Sequence, residues 1–307
     1  MDVTVAICTW NRAGLLDKTL ARLQQVVVPA ELKWELLVVD NNCTDDTQTV
    51  LAKHRDRLPL KPLVETKQGH SHARNRAVAE ARGKLLIWTD DDVLIAPNWL
   101  GDLTAAATKH AEAVFFGGPV RPWYERTPPA WITRHLPRIT SVWALLDHGP
   151  EVRPLTSTEY CFGANIAFRM DVLRRYPFDP DYGRVKTRLT GGDETRVIDQ
   201  IRKDGWSGVW VGPAAVDHFL PADRMTVRYI FDFYRWASYQ GVAAFAKDTS
   251  PRSFGAPRWM WKKYFAASLK AKLRSVSKDE VWLDSLLEAA KWRGLIDRFR
   301  AVRKVRS

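Results

Sequence analysis

The chain has 307 residues, 46% hydrophobic and 27% charged, a composition that excludes a disordered or fibrous protein and suits one large domain or a domain with an extension. The net charge of +12 is uneven: residues 256–307 hold 14 Lys/Arg against 5 Asp/Glu, a surplus of +9 that leaves only +3 for the rest. A basic segment on a nearly neutral body points to an anionic partner. No recognised nucleic-acid motif accompanies the charge, so nucleic acid is not expected; the segment reads either as a contact with an anionic membrane surface or as a helical extension that packs its Trp residues on the main domain and leaves a solvated basic face.

In chain order, Val3 to Cys8 is a short β-branched apolar run and predicts a buried strand, ending in the polar loop Thr9-Trp10-Asn11-Arg12. Leu15, Leu16, Leu20 and Leu23 then recur at helical spacing. Glu35 to Val39 predicts a second strand that closes on Asp40-Asn41-Asn42, and Thr44 to Leu58 a helix with Asp45 and Asp46 near its start. A short strand is expected at Leu63-Val64-Glu65 and a helix from Ser71 to Ala81, with His70 and His72 as exposed residues beside the Gly69 loop. Lys84 to Thr89 predicts a fourth strand ending at Asp90-Asp91-Asp92. A helix from Pro97 to Lys109 and a strand from Ala113 to Gly118 follow.

Strands alternating with helices indicate an α/β fold with a mostly parallel sheet. In such sheets ligands bind beyond the carboxyl ends of the strands. The clusters Thr9-Trp10-Asn11, Asp40-Asn41-Asn42 and Asp90-Asp91-Asp92 should therefore converge on one edge.

Residues 121–159, rich in Pro and Trp, give no periodicity to assign. Regularity returns at Phe162 to Arg169, at a helix from Glu194 to Lys203 and at an aromatic helix from Met225 to Gly241. Pro251 to Pro257 reads as a linker, and Trp259 to Ser307 as a basic, aromatic helical extension. The expected division is a body of residues 1–241, with a donor half (1–118) and an acceptor half (119–241), followed by an extension of residues 242–307.

Cys8, Cys43 and Cys161 are far apart and lack C-x-x-C spacing, so neither a disulfide framework nor a zinc site is expected. The start Met1-Asp2-Val3-Thr4 has no leader pattern, and no run approaches the ~20 apolar residues of a membrane span. The expectation is a cytoplasmic protein, peripheral at most.

Three adjacent carboxylates at the end of an apolar strand repel one another and need a cation or open solvent to stay ionised. Their hard oxygens suit Mg2+ or Mn2+, which in turn bind phosphate. Alone, such a triplet reads first as a solvated acidic turn that caps the following helix; its position after Leu85-Leu86-Ile87-Trp88 shifts the balance toward a site.

Here the sequence resembles the family-2 glycosyltransferases, which have the GT-A fold. The resemblance runs from Val3 to about Gly241 through ordered motifs: Val5 to Arg12, Leu37 to Asp45, Gly69 with Ala73-Arg74-Asn75, Thr89 to Val93 with Pro97 and Trp99-Leu100, and Gly191-Gly192-Asp193-Glu194-Thr195. It implies an inverting enzyme that takes a UDP-sugar as donor, uses Mn2+ or Mg2+, and transfers to a saccharide or lipid-linked acceptor. Thr9, Trp10, Asn11, Arg12, Asp40, Asn42, Arg74, Asp90 and Asp91 would surround the nucleotide-sugar. Asp92 would bind the metal, and His218 would complete its shell. Gly163, Asn165 and Gly192 would line the acceptor side. Asp193-Glu194 stands where the family carries its catalytic base, with the acid order reversed. By position the base is Glu194, by residue type Asp193; Glu194 is preferred because helix capping accounts for Asp193 well and for Glu194 less well.

Two other classes remain open at this level. A nucleotidyltransferase of similar sheet would need a Gly-rich cationic loop after the first strand, and Thr9 to Gly14 has one glycine. A non-catalytic nucleotide-sugar-binding protein would not need Asp90, Asp92 and Glu194 intact.

Overall fold

The computed structural model describes residues 1–180, 192–239 and 250–306, and the chain groups into two compact units. The first unit contains residues 1–123, 144–180 and 192–219; the second contains 124–143, 220–239 and 250–306. The expected boundary at Gly241 lies outside the described residues, and the aromatic helix before it groups with the C-terminal helices.

Strands and helices alternate as expected, with two further short strands, β5 and β7, between them: β1 (Val3–Thr9), α1 (Ala13–Leu23), β2 (Trp34–Asp40), α2 (Thr47–His54), β3 (Leu60–Val64), α3 (His70–Glu80), β4 (Leu85–Asp90), β5 (Val93–Ile95), α4 (Trp99–Lys109), β6 (Ala113–Gly117) and β7 (Val120–Tyr124). After α5 (Ala130–Ile139) come β8 (Val152–Pro154), β9 (Asn165–Arg169), α6 (Met170–Leu173), α7 (Asp193–Lys203), β10 (Ser207–Val211) and β11 (Val216–Leu220). The unassigned stretch 121–159 thus holds a strand, a helix, a 3-10 turn at Thr140–Trp143 and an edge strand.

The main sheet runs β3-β2-β1-β4-β9-β6-β10-β8. Its β3-β2-β1-β4 half is parallel, as is the β6–β10 pair, while β9 and β8 run antiparallel to their neighbours. This is the mixed, mostly parallel sheet expected. Strands buried on both faces carry continuous apolar runs, and Val5, Ala6 and Ile7 of β1 and Leu36 to Val39 of β2 have no solvent exposure. The register aligns Thr9 with Asp40 and Cys8 with Asp90, so the three polar clusters do end on one edge.

A second sheet, β5-β11-β7, has no counterpart in the sequence reading. Its β5–β11 pairing sets His218 opposite Val93, and the Phe219 N–H donates to the Asp92 carbonyl at 2.8 Å. A ligand candidate from late in the chain is thereby fixed beside the Asp triplet.

The second unit is helical: α5, α8 (Val227–Tyr239), α9 (Arg258–Leu273) and α10 (Glu280–Arg306), the last two preceded by a small β-ribbon, β12 (Arg252–Ser253) and β13 (Ala256–Pro257). The expected helical extension consists of two helices, broken between Leu273 and Glu280. Met260 of α9 packs with Trp292, Leu295, Ile296 and Phe299 of α10. At Gly294 a Cβ would stand 2.0 Å from the Arg235 carbonyl, so glycine is what allows α10 to lie against α8. Arg235 also pairs with Asp297 at 2.6 Å. Among the described residues no helix is long and apolar enough to cross a membrane.

Candidate active site

At the carboxyl ends of β1 and β4 the acidic triplet divides. The middle residue, Asp91, turns inward: Thr9 Oγ1 donates to its Oδ2 at 2.8 Å, and Arg12 Nη1 meets its Oδ1 at 3.1 Å. Burial pushes the Asp91 carboxyl up to about 6, with Arg12 opposing and Asp92 reinforcing the shift. Thr19 of α1 donates to the carbonyls of Asp91 and Val93, 3.0 Å each, which pins the turn. Arg12 Nη1 also reaches Asp92 Oδ2 at 2.7 Å.

The flanking acids point to a common place. Ligand atoms of Asp90, Asp92 and His218 lie within 4.8 Å of one another, and His218 Nε2 is 3.3 Å from Asp92 Oδ1. Two carboxylates and an imidazole suit Mn2+ or Mg2+ as a donor set. The structure therefore joins Asp90, expected among the residues around the nucleotide-sugar, to the expected metal pair.

The β2 end forms the second wall. Asp40 is buried, with Oδ1 accepting the Cys43 N–H at 2.7 Å and Oδ2 accepting from Gln48 Nε2 at 2.5 Å. Asn11 and Asn42 both take the left-handed backbone region, at φ 52° and 65°, where asparagine is among the better tolerated residues. Asn11 Oδ1 accepts the Thr44 N–H at 2.7 Å, and Asn42 Nδ2 donates to the Thr66 carbonyl at 2.5 Å. Trp10 stands at the edge, 41% exposed.

Two residues here are named in the sequence reading only by position, in a polar cluster and near a helix start, and given no role. Asn41 is buried, donates to the carbonyls of Glu65 and Lys67, and accepts the Gly69 N–H at 2.9 Å. Asp45 accepts from the Ala13 N–H at 2.8 Å and from Thr47, tying the starts of α1 and α2 together. Both are ordinary polar residues of a turn, and nothing local marks them.

Arg74 of α3 is 2% exposed, its guanidinium 5.5 Å from the Trp88 ring and 5.2 Å from the Phe178 ring. Its Nη1 lies 3.2 Å from Asp193 Oδ2 and 3.4 Å from Glu194 Oε2. His70 Nδ1 adds a contact to Asp193 Oδ2 at 3.3 Å. His70 is thus the first residue of α3 and a site residue, where an exposed loop was expected.

Both acids sit in the first turn of α7, after Gly192 at φ 110°. Burial alone would raise Asp193, but the Arg74 charge and the His70 hydrogen bond hold it far below the usual carboxylate range. Burial, reinforced by the Asp193 charge and opposed by Arg74, pushes Glu194 up to about 7. Gly191 lies outside the described residues.

Two residues expected on the acceptor side have structural duties in the fold. Asn165 has no exposure: Trp99 Nε1 donates to its Oδ1 at 2.8 Å, and its Nδ2 donates to the Pro119 and Ala214 carbonyls at 3.0 and 2.7 Å. That uses the amide on the fold itself. At Gly163 a Cβ would stand 1.9 Å from Arg74 Nη2, so this glycine makes room for the arginine.

The comparisons with known proteins bear on the family and the fold. Over 113 residues the chain is 34% identical to validoxylamine A glucosyltransferase of Streptomyces hygroscopicus, covering 36% of this chain and 26% of the relative, so it matches about a quarter of that relative's length. It is 26% identical over 255 residues to the glucosyl-dolichyl phosphate glucuronosyltransferase of Haloferax volcanii, covering 78% of this chain and 76% of the relative. Its fold is similar to that of the mannosyltransferase PcManGT of Pyrobaculum calidifontis, solved with GDP-Man and Mn2+, with a TM-score of 0.62 at 19% identity over 96% of this chain and 86% of the other. The family model described as Glycosyl transferase family 2 matches residues 4–176, more than half of the chain, and the protein belongs to that family.

Proposed function

We propose that the protein is an inverting glycosyltransferase that moves a sugar from a nucleotide-sugar, a UDP-sugar by resemblance, to a hydroxyl of a saccharide or lipid-linked acceptor. The observation that carries this reading is the meeting of Asp90, Asp92 and His218 within one ligand sphere, in the same unit as a carboxylate poised near neutrality.

Asp90, Asp92 and His218 would hold Mn2+ or Mg2+, which when bound neutralises charge on the departing diphosphate. Asp40, Asn11 and Asn42 shape the turn that receives the nucleotide, and Trp10 offers a flat apolar face at its edge. Glu194 takes the proton of the acceptor hydroxyl while that oxygen attacks the anomeric carbon and the nucleoside diphosphate leaves from the opposite face. One bond forms as the other breaks, so configuration inverts and no glycosyl-enzyme arises. A base with a pKa near 7 suits this role better than one held fully ionised, which supports Glu194 over Asp193. Asp193, kept anionic by Arg74 and His70, positions and tunes it.

The relative named for glucosyl-dolichyl phosphate supports a lipid-linked acceptor. With it we propose a cytoplasmic protein whose basic C-terminal segment touches an anionic membrane surface.

A donor screen tests the enzymatic reading. Protein with Mn2+ and a panel of UDP-, GDP- and dTDP-sugars should release nucleoside diphosphate from one donor, and EDTA or Asp92→Ala should stop it. Donor binding without release or transfer, with every acceptor tried, would leave a binding protein instead.

A further inference from the structure

Helix α9 is apolar on two opposite faces, and only one of them is packed. Met260, Ala267 and Ala271 are buried. At 100° per residue, Phe265, Leu269 and Leu273 step round the helix by about 40° each and centre on the opposite side. They are 60%, 59% and 76% exposed, and Val276 just beyond the helix is 96% exposed. At the other end, Phe254 is 84% exposed and meets Trp261, whose ring stacks on Phe265 at 5.7 Å. Exposed single apolar residues are ordinary; a continuous row of them marks a contact surface.

Charge says what kind of surface meets it. Exposed Arg258, Lys262 and Lys272 share the outward arc with the apolar row. The chain has no Asp or Glu anywhere from Arg252 to Lys278. Long cationic side chains beside an apolar row can leave their stems in an apolar layer while their heads stay at its polar boundary. A bilayer with anionic headgroups offers those two layers at the right depth. A protein partner would need an apolar groove rimmed with acids, whereas a second copy of this helix would bring cations against cations.

We propose that the outward face of α9 lies in the headgroup layer of an anionic membrane, inserting Phe265, Leu269 and Leu273 with Arg258, Lys262 and Lys272 on phosphate groups. The proposal rests on the membrane contact suggested above for the basic segment and adds insertion of an apolar row to it. It is independent of the transfer chemistry.

The test is sedimentation of the full chain with phosphatidylcholine vesicles and with mixed phosphatidylglycerol–phosphatidylcholine vesicles. The wild-type protein should sediment with the anionic vesicles only. The variant Phe265→Ser/Leu269→Ser/Leu273→Ser should lose roughly tenfold or more in partitioning, and Lys262→Glu/Lys272→Glu a comparable amount, with thermal melting of both unchanged. Undiminished binding of the triple-serine variant, with binding lost in the charge-reversed one, would overturn insertion and leave a purely electrostatic contact. No sedimentation of the wild type with anionic vesicles at low salt would overturn both. A concentration-dependent dimer in the ultracentrifuge that the triple-serine variant abolishes, without vesicle binding, would assign the row to a second copy and overturn the proposal.

Discussion

Asp193 and Glu194 are neighbours in the chain and share one cation, Arg74 Nη1, at 3.2 and 3.4 Å, yet they are driven in opposite directions. His70 supports Asp193 alone, and the charge so fixed on Asp193 makes a second charge on Glu194 costly.

Activity should therefore rise with pH through about 7, as Glu194 loses its proton, and level off above it. Asp193→Asn removes the neighbouring charge and should move that limb to lower pH. Glu194→Gln should lower kcat by roughly 10²–10⁴-fold while donor binding stays intact. A rate profile against pH for the three proteins checks this; a flat Asp193→Asn profile with residual Glu194→Gln activity would transfer the base role to Asp193.

The same shift has a sign in stability. Because Glu194 is raised above its ordinary value, its protonated form is favoured by the fold. Its contribution is full below the ordinary Glu value of 4.5 and is lost as pH rises through about 7. Melting curves should show Glu194→Gln gaining on the wild type at pH 8 and matching it more closely at acid pH.

Metal binding should depend on the three ligand candidates unequally. Asp92→Ala removes a ligand that Arg12 and His218 both face, and calorimetric Mn2+ binding should disappear. His218→Ala should weaken it by roughly tenfold or more, since even groups outside the ligand shell cost about that much. Mn2+ binding unaffected in both would remove the metal assignment.

Arg12 is the cation that Asp91 and Asp92 share. Arg12→Ala should cost about 1–3 kcal/mol in urea unfolding, because Asp91 is left buried beside a like charge. Saturating Mn2+ should restore part of the loss, and adding Asp91→Asn should restore more.

Asn165→Ala should behave as a structural lesion. It strips partners from the buried Trp99 N–H and two carbonyls, a loss of about 2–4 kcal/mol, while KM for the acceptor stays unchanged in the folded protein. A specific rise in acceptor KM would return Asn165 to the acceptor side.

What the sequence made legible follows from how the parallel strands are buried. β1, β2 and β4 lie inside the sheet, read as unbroken apolar runs, and end in polar clusters that the register then aligns. β11 does not read this way, because Val216–Leu220 carries Asp217 and His218 and belongs to a small sheet whose partners are distant in sequence. Position alone suggested His218; only the pairing with β5 brings it to Asp92. The structural duties of Gly163 and Asn165 were illegible for a related reason. A glycine under a guanidinium and an amide joining three segments are tertiary facts, and a local motif is silent about them.

Asn41 carries a consequence for redesign. Its amide binds the loop that leads into α3 through Glu65, Lys67 and Gly69, and α3 carries His70 and Arg74. The turn proposed to face the nucleotide and the helix proposed to steer the base are thus one mechanical part. On the proposed function, donor preference would not be a detachable cassette at residues 40–42. A transplanted turn that lacks the amide would release residues 65–69, let Arg74 drift from the acids, and alter turnover as well as nucleotide choice.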